Sequence, residues 1–239
     1  MHFFEEFSDL LNADNDVIWT NAFFAHSKRL GFDFCLFGTI PHVKSPLSSA
    51  WIRSSFPKDW LDRYFGRGYI AQDYKLIHCM RGNLPLIWTP EVFARSEQRR
   101  IYDEGCGFGL RAGISFPAHG PDGIYGQLCL SRDIAPGPEF EAFLATRLQS
   151  ILLLRDVLAH TSRSFAYPGC KTTHHPLTVR EQECLRWAAT GKSSKQIADL
   201  MYCTVSTVNF HIGNARGKLG AKSRQAAIAA AIQSGALVV

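Results

Sequence analysis

The sequence predicts an α+β protein, with an N-terminal α/β/α sandwich built on an antiparallel sheet and then an all-α, four-helix domain of the helix-turn-helix type. Strand-forming and helical segments are mixed through the first two thirds of the chain without regular β-α alternation. Four short helical patterns fill the last third. A stretch with Pro and Gly and few apolar residues separates the two parts. We therefore predict domains at 1–166 and 177–239, joined by a linker at 167–176.

The first domain starts with a helical pattern at 16–30, which Gly31 ends. The turn sequence HGPDG at 119–123 predicts a hairpin. Apolar residues at steps of 3 and 4 predict one long helix at 139–160. Segments rich in β-branched and aromatic residues predict strands. They lie at 34–40, 112–117 and 125–131, with weaker candidates at 50–56 and 86–89.

The second domain opens with a capping box, in which Thr178 starts a helix and Glu181 follows three residues later. Gly191 ends this helix, because glycine is favoured just past a helix C-terminus. A second helix follows the serine pair at 193–194. A tight turn at 202–204 then leads into a third helix at 205–219, and an Ala-rich fourth helix is predicted at 223–234.

The third helix has two distinct faces. One carries a buried stripe at steps of 4, 3 and 4, made of Val208, Ile212, Ala215 and Leu219. The opposite face has almost no acidic residue and carries Ser206, Asn209, Phe210, Gly213 and Gly217. A short helix, a tight turn and a polar, acid-free helix form the geometry that places a helix in the major groove of DNA. Taken alone, each feature also fits a solvated face or a protein-binding domain.

Charge is distributed unevenly along the chain. The net charge is +5, and residues 167–239 hold nine Lys/Arg against three Asp/Glu. This asymmetry indicates a polyanion-binding module joined to a near-neutral domain. The acidic start lacks a signal-peptide layout, and no apolar run is long enough for a membrane helix. We therefore expect a cytoplasmic protein that does not bind membranes.

The seven cysteines have irregular spacing, which indicates no disulfide framework and no metal site. No nucleophile–base pairing or phosphate-binding loop is signalled, so an enzyme is not expected and neither is a cofactor. A receiver domain is also disfavoured, because it needs a doubly wound parallel sheet.

The last domain resembles the LuxR-type helix-turn-helix module over its whole length. The matching residues include Leu177-Thr178, Arg180-Glu181, Gly191-Lys192, Ile197-Ala198, Ser206, Thr207-Val208, His211 and Lys218-Leu219. The resemblance, together with the polar face, predicts DNA contacts. The candidates are Ser206, Thr207, Asn209, Phe210, His211, Asn214, Arg216, Lys218, Lys192 and Lys195. Ser206, Asn209 and Phe210 are the candidates for base edges, whereas the basic residues are candidates for phosphates.

The first domain resembles the autoinducer-binding domain of the same family, through the run FPKDWLDRYFGRGYIAQD and then LPLIW. The resemblance implies an N-acyl-homoserine lactone as the signal. It also implies that Trp60 donates to the lactone carbonyl, Tyr64 to the acyl-side carbonyl, and that Asp73 accepts from the amide N–H. Trp88 would form an aromatic wall, and Gly113 also matches the pattern. Taken alone, these aromatic residues are more commonly core residues, and Asp73 could simply cap a helix.

Some positions depart from the family pattern. Tyr74 stands where Pro is usual, Phe56 where some members have Tyr, and Cys129 where many have Ser or Thr. Lys75 lies close to Asp73, where several members have a neutral residue. We include Phe56 and Cys129 among the predicted ligand contacts. The departures leave open the acyl chain's length and substitution, and also a signal that is not a lactone.

Together, these patterns and the two family resemblances predict a ligand-responsive transcription factor that binds an inverted-repeat site in double-stranded DNA as a homodimer. Dimerisation would use the 139–160 helix and the last helix, and RNA polymerase is a further expected partner. The alternative is a regulator of the same family that works without a ligand or responds to a different one.

Overall fold

The computed structural model describes residues 5–42, 45–120, 123–167, 177–233 and 236–237. They fall into two compact units, which we call the first unit (up to residue 167) and the second unit (from residue 177). Apart from Tyr167, the predicted linker lies outside the described residues. The Tyr167 hydroxyl donates to the carbonyl oxygen of Thr39 at 2.7 Å, which ties this residue to the first unit.

The first unit contains a five-stranded antiparallel sheet in the order β2-β1-β5-β4-β3. The strands are β1 (Phe34–Ile40), β2 (Trp51–Ser54), β3 (Leu86–Trp88), β4 (Ala112–Pro117) and β5 (Tyr125–Arg132). All five predicted strands are confirmed, and the two weaker candidates are shorter than expected. β4 and β5 pair as predicted for the hairpin, although positions 121–122 of its turn lie outside the described residues.

Helices cover both faces of the sheet, which confirms the α/β/α sandwich. They are α1 (Ser8–Leu11), α2 (Asp16–Arg29), α3 (Lys58–Gly66), α4 (Tyr74–Arg81), α5 (Ser96–Cys106), α6 (Pro138–Ala145), α7 (Leu148–Thr161) and α8 (Arg163–Ala166). Short 3-10 turns lie at Glu5–Phe7, Leu47–Ser49, Tyr69–Ala71 and Pro90–Val92. The start of α2 is set by Asn15, whose side chain accepts from two backbone N–H groups.

The strand alternation divides the apolar residues between two cores. On one face, Phe37 and Leu130 pack with α2, α6 and α7 around the buried Trp19. On the other face, which we call the cavity face, Leu36 and Cys129 pack with aromatic residues from α3 and α5. The sheet therefore has one densely packed face and one face available to line a cavity.

The prediction of a single helix at 139–160 was wrong, because the helix is interrupted at Thr146 and Arg147, which separate α6 from α7. The break contains neither Pro nor Gly. Its side chains satisfy the freed carbonyl of Phe143, which accepts from the Thr146 hydroxyl at 3.0 Å and from the Arg147 guanidinium at 3.3 Å. The guanidinium also lies 4.1 Å from the centre of the Phe143 ring.

The second unit consists of α9 (Val179–Ala189), α10 (Ser194–Leu200), α11 (Val205–Lys218) and α12 (Arg224–Gln233), which confirms the four predicted helices. Thr178 and Glu181 form the expected capping box, and Ser193 forms a second one with Gln196. Tyr202 makes the turn between α10 and α11 with a positive φ of 51°. None of the described helices is long and apolar enough to span a membrane.

Candidate functional site

A cavity lies against the cavity face of the sheet in the first unit. Its walls are mostly apolar and come from β1, β2, β3, β5, α3, α4 and α5. Six of the seven predicted ligand residues line this cavity. They are Phe56, Trp60, Tyr64, Asp73, Trp88 and Cys129. The fold therefore brings together residues that lie as far apart in the sequence as Phe56 and Cys129.

Gly113 is the predicted ligand residue that does not belong to this lining. It pairs with Trp88 across β4 and β3. A Cβ at this position would lie 2.4 Å from Cε3 of the Trp88 ring, closer than side-chain carbons approach one another. Gly113 therefore positions the cavity wall rather than forming it.

Trp88 is fixed by a residue that the sequence analysis missed. Its indole Nε1 donates to the hydroxyl of Ser115 at 2.9 Å, and this hydroxyl lies 3.2 Å from the Cys129 Sγ. Ser115 is fully buried and pairs with Cys129 across β4 and β5. The sequence pattern could have identified Ser115, because it lies two residues after Gly113 and residues two apart on a strand share a face.

Asp73 is the acidic group of the cavity and is only 4% exposed. It caps α4, because its Oδ1 accepts from the backbone N–H of Lys75 at 3.0 Å. Its Oδ2 accepts from the Tyr64 hydroxyl at 2.9 Å. The helix-capping role considered from the sequence is thus real, and it coexists with a position in the cavity wall.

Lys75 compensates the charge of Asp73. Its Nζ lies 3.1 Å from the Asp73 Oδ1, and its side chain is only 12% exposed. The same ammonium lies 5.1 Å from the centre of the Trp88 ring and 5.6 Å from that of Phe93. The cavity wall therefore contains an ion pair that is bordered by two aromatic rings.

The titratable side chains around this ion pair stay protonated. Burial, and then the carboxylate of Asp73, raise the pKa of Tyr64 well above its ordinary range. Burial raises the pKa of Cys129 to about 12, so its thiol is not a nucleophile at neutral pH. The cavity can therefore offer neutral donors and one ion pair to a ligand, which suits binding rather than covalent catalysis.

The exposed face of α11 in the second unit carries the predicted base contacts. Ser206, Asn209 and Phe210 are exposed, with Phe210 at 63%. The Ser194 hydroxyl donates to the Asn209 Oδ1 at 2.8 Å, and Arg224 donates to the same hydroxyl at 3.1 Å. α10 and α12 thus hold Asn209 in place, a role for Ser194 and Arg224 that the sequence analysis did not identify.

The other predicted DNA contacts differ in their surroundings. Asn214, Lys192 and Lys195 are exposed, and Thr207 and His211 are half-buried. By contrast, the Lys218 Nζ lies 2.8 Å from the Oε2 of the capping-box residue Glu181. Arg216 donates to the backbone carbonyl of Lys222 at 2.8 Å. Lys218 and Arg216 therefore also hold the module together.

Two family models match the chain. Residues 18–161 match the autoinducer binding domain, and residues 175–231 match the luxR family of bacterial regulatory proteins. The chain is 31% identical to the quorum-sensing regulator RhlR of Pseudomonas aeruginosa over 211 residues, which cover 86% of this chain and 84% of the relative. It is 30% identical to the transcriptional activator AnoR of Acinetobacter nosocomialis, over 88% of each chain.

The crystal structure of SdiA from Escherichia coli shares the fold, with a TM-score of 0.68 at 22% identity over 98% of this chain and 97% of that chain. The relatives that the sequence matches are transcriptional regulators rather than enzymes. The ligand-domain match alone covers more than half of the chain, and the helix-turn-helix match follows it in the same order. The chain therefore belongs to the LuxR family of autoinducer-binding transcriptional regulators.

Proposed function

We propose that this chain binds an N-acyl-homoserine lactone in the cavity of the first unit and, as a dimer, an inverted-repeat DNA site through α11. The observation that carries the proposal is the grouping of Trp60, Tyr64 and Asp73 in a mostly apolar cavity, where the Trp60 and Tyr64 rings lie 5.7 Å apart and Tyr64 donates to Asp73. An acyl lactone has the complementary layout, with a polar ring and amide at one end and an apolar tail.

Each of these three side chains has a partner on such a ligand. The Trp60 indole N–H suits the lactone carbonyl, and Asp73 suits the amide N–H. Tyr64 has one hydroxyl hydrogen, which Asp73 accepts in this structure. Donation to an acyl carbonyl requires this hydroxyl to turn away from Asp73, and Lys75 keeps the carboxylate paired when it does.

The DNA-binding half of the proposal rests on the exposed face of α11. Asn209 and Phe210 are exposed on this face and suit contacts with base edges, Phe210 with a thymine methyl group. Lys192 and Lys195 are exposed at the start of α10 and suit phosphates. Because Lys218 is paired with Glu181, we assign it to the stability of the module rather than to a phosphate.

Dimerisation is supported by apolar residues that remain exposed on the two helices predicted to mediate it. Leu148 of α7 is 40% exposed and Ile232 of α12 is 46% exposed. Burial of such residues against a second copy would stabilise a dimer. Two recognition helices would then read two half-sites, and the bound dimer would contact RNA polymerase.

A ligand-independent regulator is the second candidate, and the pair between Lys75 and Asp73 favours it. An unpaired buried carboxylate would destabilise the empty domain. Here the Lys75 ammonium compensates this charge from within the chain. Folding of the first unit is then less dependent on a ligand amide.

Thermal unfolding of the full chain with acyl-homoserine lactones of graded tail length tests the ligand half. Lactones of one length class should raise the midpoint in a dose-dependent way, because a ligand that binds only the folded state stabilises it. Trp60→Phe should lose this shift, whereas Trp187→Phe in the second unit should keep it. If the wild-type protein is folded and its unfolding midpoint does not shift with any lactone, the ligand-independent regulator is the candidate that remains.

Selection of bound DNA duplexes from a pool of random sequences tests the DNA-binding part of the proposal. The selected sites should contain two half-sites in inverted orientation, one helical turn apart or a multiple of it. Size measurement by light scattering should show two chains per duplex. Selection of sites without internal symmetry, bound by a single chain, would contradict the dimer.

A further inference from the structure

Lys75 is unusual as a residue of an apolar cavity. Its side chain is 12% exposed, and its ammonium is bordered by the carboxylate of Asp73 and the rings of Trp88 and Phe93. Removing an ammonium from water destabilises the folded state unless new partners replace the water. A single carboxylate oxygen and two ring faces satisfy part of this requirement, since an ammonium has three N–H donors.

We propose that Lys75 contacts the signal directly and selects acyl-homoserine lactones that carry an additional acceptor oxygen on the acyl chain close to the amide, as in a β-keto group. This inference rests on the proposed lactone function and deepens it, because it concerns the acyl part of the signal.

The hydrogen-bond donors of the cavity favour an additional acceptor oxygen on the ligand. Trp60, Tyr64 and Asp73 are matched by the lactone carbonyl, the acyl carbonyl and the amide N–H. Lys75 is then a further donor, for which an unsubstituted acyl lactone offers only the weakly accepting ring oxygen or a carbonyl that already accepts from Trp60 or Tyr64. Its Nζ lies 3.1 Å from the Asp73 oxygen, so it is close to any amide bound there. The first acceptor along the tail beyond the amide is a substituent on the acyl chain.

The charges in the cavity favour a neutral ligand. Asp73 and Lys75 are the two charged side chains that line the cavity among the residues that the structure describes. Their charges cancel, so a neutral ligand leaves the buried site neutral. A signal with a free carboxylate would bring a net negative charge into this site, which is costly in a low-dielectric environment. The cavity therefore favours a ketone oxygen over a carboxylate.

The test compares dissociation constants for pairs of acyl-homoserine lactones of equal tail length, with and without a β-keto group, measured by calorimetry on the full chain. A charge-assisted hydrogen bond should make the wild-type chain bind the β-keto member about ten-fold more tightly. In Lys75→Met the two members should bind within about two-fold of each other. Lys58→Met, which removes an exposed lysine from the same unit, should retain the wild-type preference.

Lys75→Gln is the second variant, because its amide can still donate to Asp73, whereas Met removes the side-chain donor at this position. It should also reduce the β-keto preference, since a neutral donor makes the weaker bond. Equal binding of both members by the wild-type chain would overturn the inference while leaving the lactone function intact. An unchanged preference in both Lys75 variants would overturn it as well. Absence of binding by every lactone would overturn the proposed function and this inference together.

Discussion

The indole of Trp88 lies so close to the backbone of Gly113 that a Cβ on that glycine would stand 2.4 Å from Cε3 of the ring. The two residues pair directly across β3 and β4. On the same strand, Ser115 accepts the indole N–H. Two residues of β4 therefore determine where the aromatic wall of the cavity stands, although Gly113 does not line the cavity itself.

Gly113→Ala should lower the free energy of unfolding by about 2 kcal/mol, because overpacking forces the ring or the strand to move. Urea denaturation would measure this loss. Gly66→Ala is the matched control, since a Cβ there meets nothing within 4 Å, and it should not destabilise the protein. If the two variants were equally stable, the contact between Gly113 and Trp88 would not be the constraint that we describe.

The second unit contains an ion pair between buried Glu181 and Lys218, which lie 2.8 Å apart. Lys218→Met should destabilise this unit by about 2 kcal/mol, because a buried carboxylate loses a charged hydrogen-bond partner. Lys195→Met is the control, since Lys195 is exposed and its loss should leave stability nearly unchanged. Chemical denaturation followed by helix circular dichroism would compare them. Equal stability of the two variants would show that the pair contributes nothing.

The same pair predicts a pH dependence. Burial alone would raise the pKa of Glu181, but the hydrogen bond from Lys218 and that from the backbone of Thr178 outweigh it and lower the pKa below its usual 4.5. A carboxyl group whose pKa is depressed by folding stabilises the protein above its unfolded pKa, and that contribution disappears as the pH falls through the folded value. Stability should therefore fall below about pH 4.5 in the wild-type chain and less steeply in Lys218→Met. Parallel pH profiles would contradict this assignment.

α11 carries two exposed glycines, Gly213 and Gly217, where an added Cβ would meet nothing within 4 Å. Gly213→Ala should raise the stability of the second unit by about 0.8 kcal/mol, because alanine is the better helix former. If this face approaches DNA as proposed, the same substitution should weaken DNA binding through a steric clash. A variant that is more stable and binds DNA as well as the wild-type chain would remove Gly213 from the DNA-facing surface.

The basic residues at the start of α10 should determine the salt dependence of DNA binding. Lys195→Gln should reduce the slope of log K against log salt by about 1 and weaken binding to all sequences similarly. Asn209→Ala should instead reduce the difference in affinity between the selected site and random DNA. Fluorescence anisotropy at graded salt concentrations would separate the two effects. A change of sequence preference in Lys195→Gln would show that Lys195 contacts bases.

The main architecture could be predicted because local patterns agree with the tertiary fold. Phe34–Ile40 and Ala112–Pro117 are rich in strand formers, and the capping box at Thr178 and Glu181 marks a helix start by its spacing alone. The break between α6 and α7 could not be predicted in this way. It depends on side-chain contacts of Thr146 and Arg147 with Phe143, and no helix-breaking residue marks it.

The site was predicted less completely than the fold. The cavity positions of Trp60, Tyr64 and Asp73 followed from the family resemblance and agree with the lining that we observe. The pairing of Lys75 with Asp73 did not follow, because sequence proximity cannot show that a lysine turns inward. The pairing of Lys218 with Glu181 did not follow for a similar reason, since Glu181 lies on a different helix.

A crystal structure of the full chain grown with a β-keto acyl-homoserine lactone would show where the ligand binds. We expect the lactone in the cavity, with its amide nitrogen within hydrogen-bonding distance of the Asp73 carboxylate, its ring carbonyl at Trp60 and its keto oxygen at Lys75. A cavity that stays empty at saturating lactone, or a lactone bound elsewhere on the chain, would contradict the proposed ligand site.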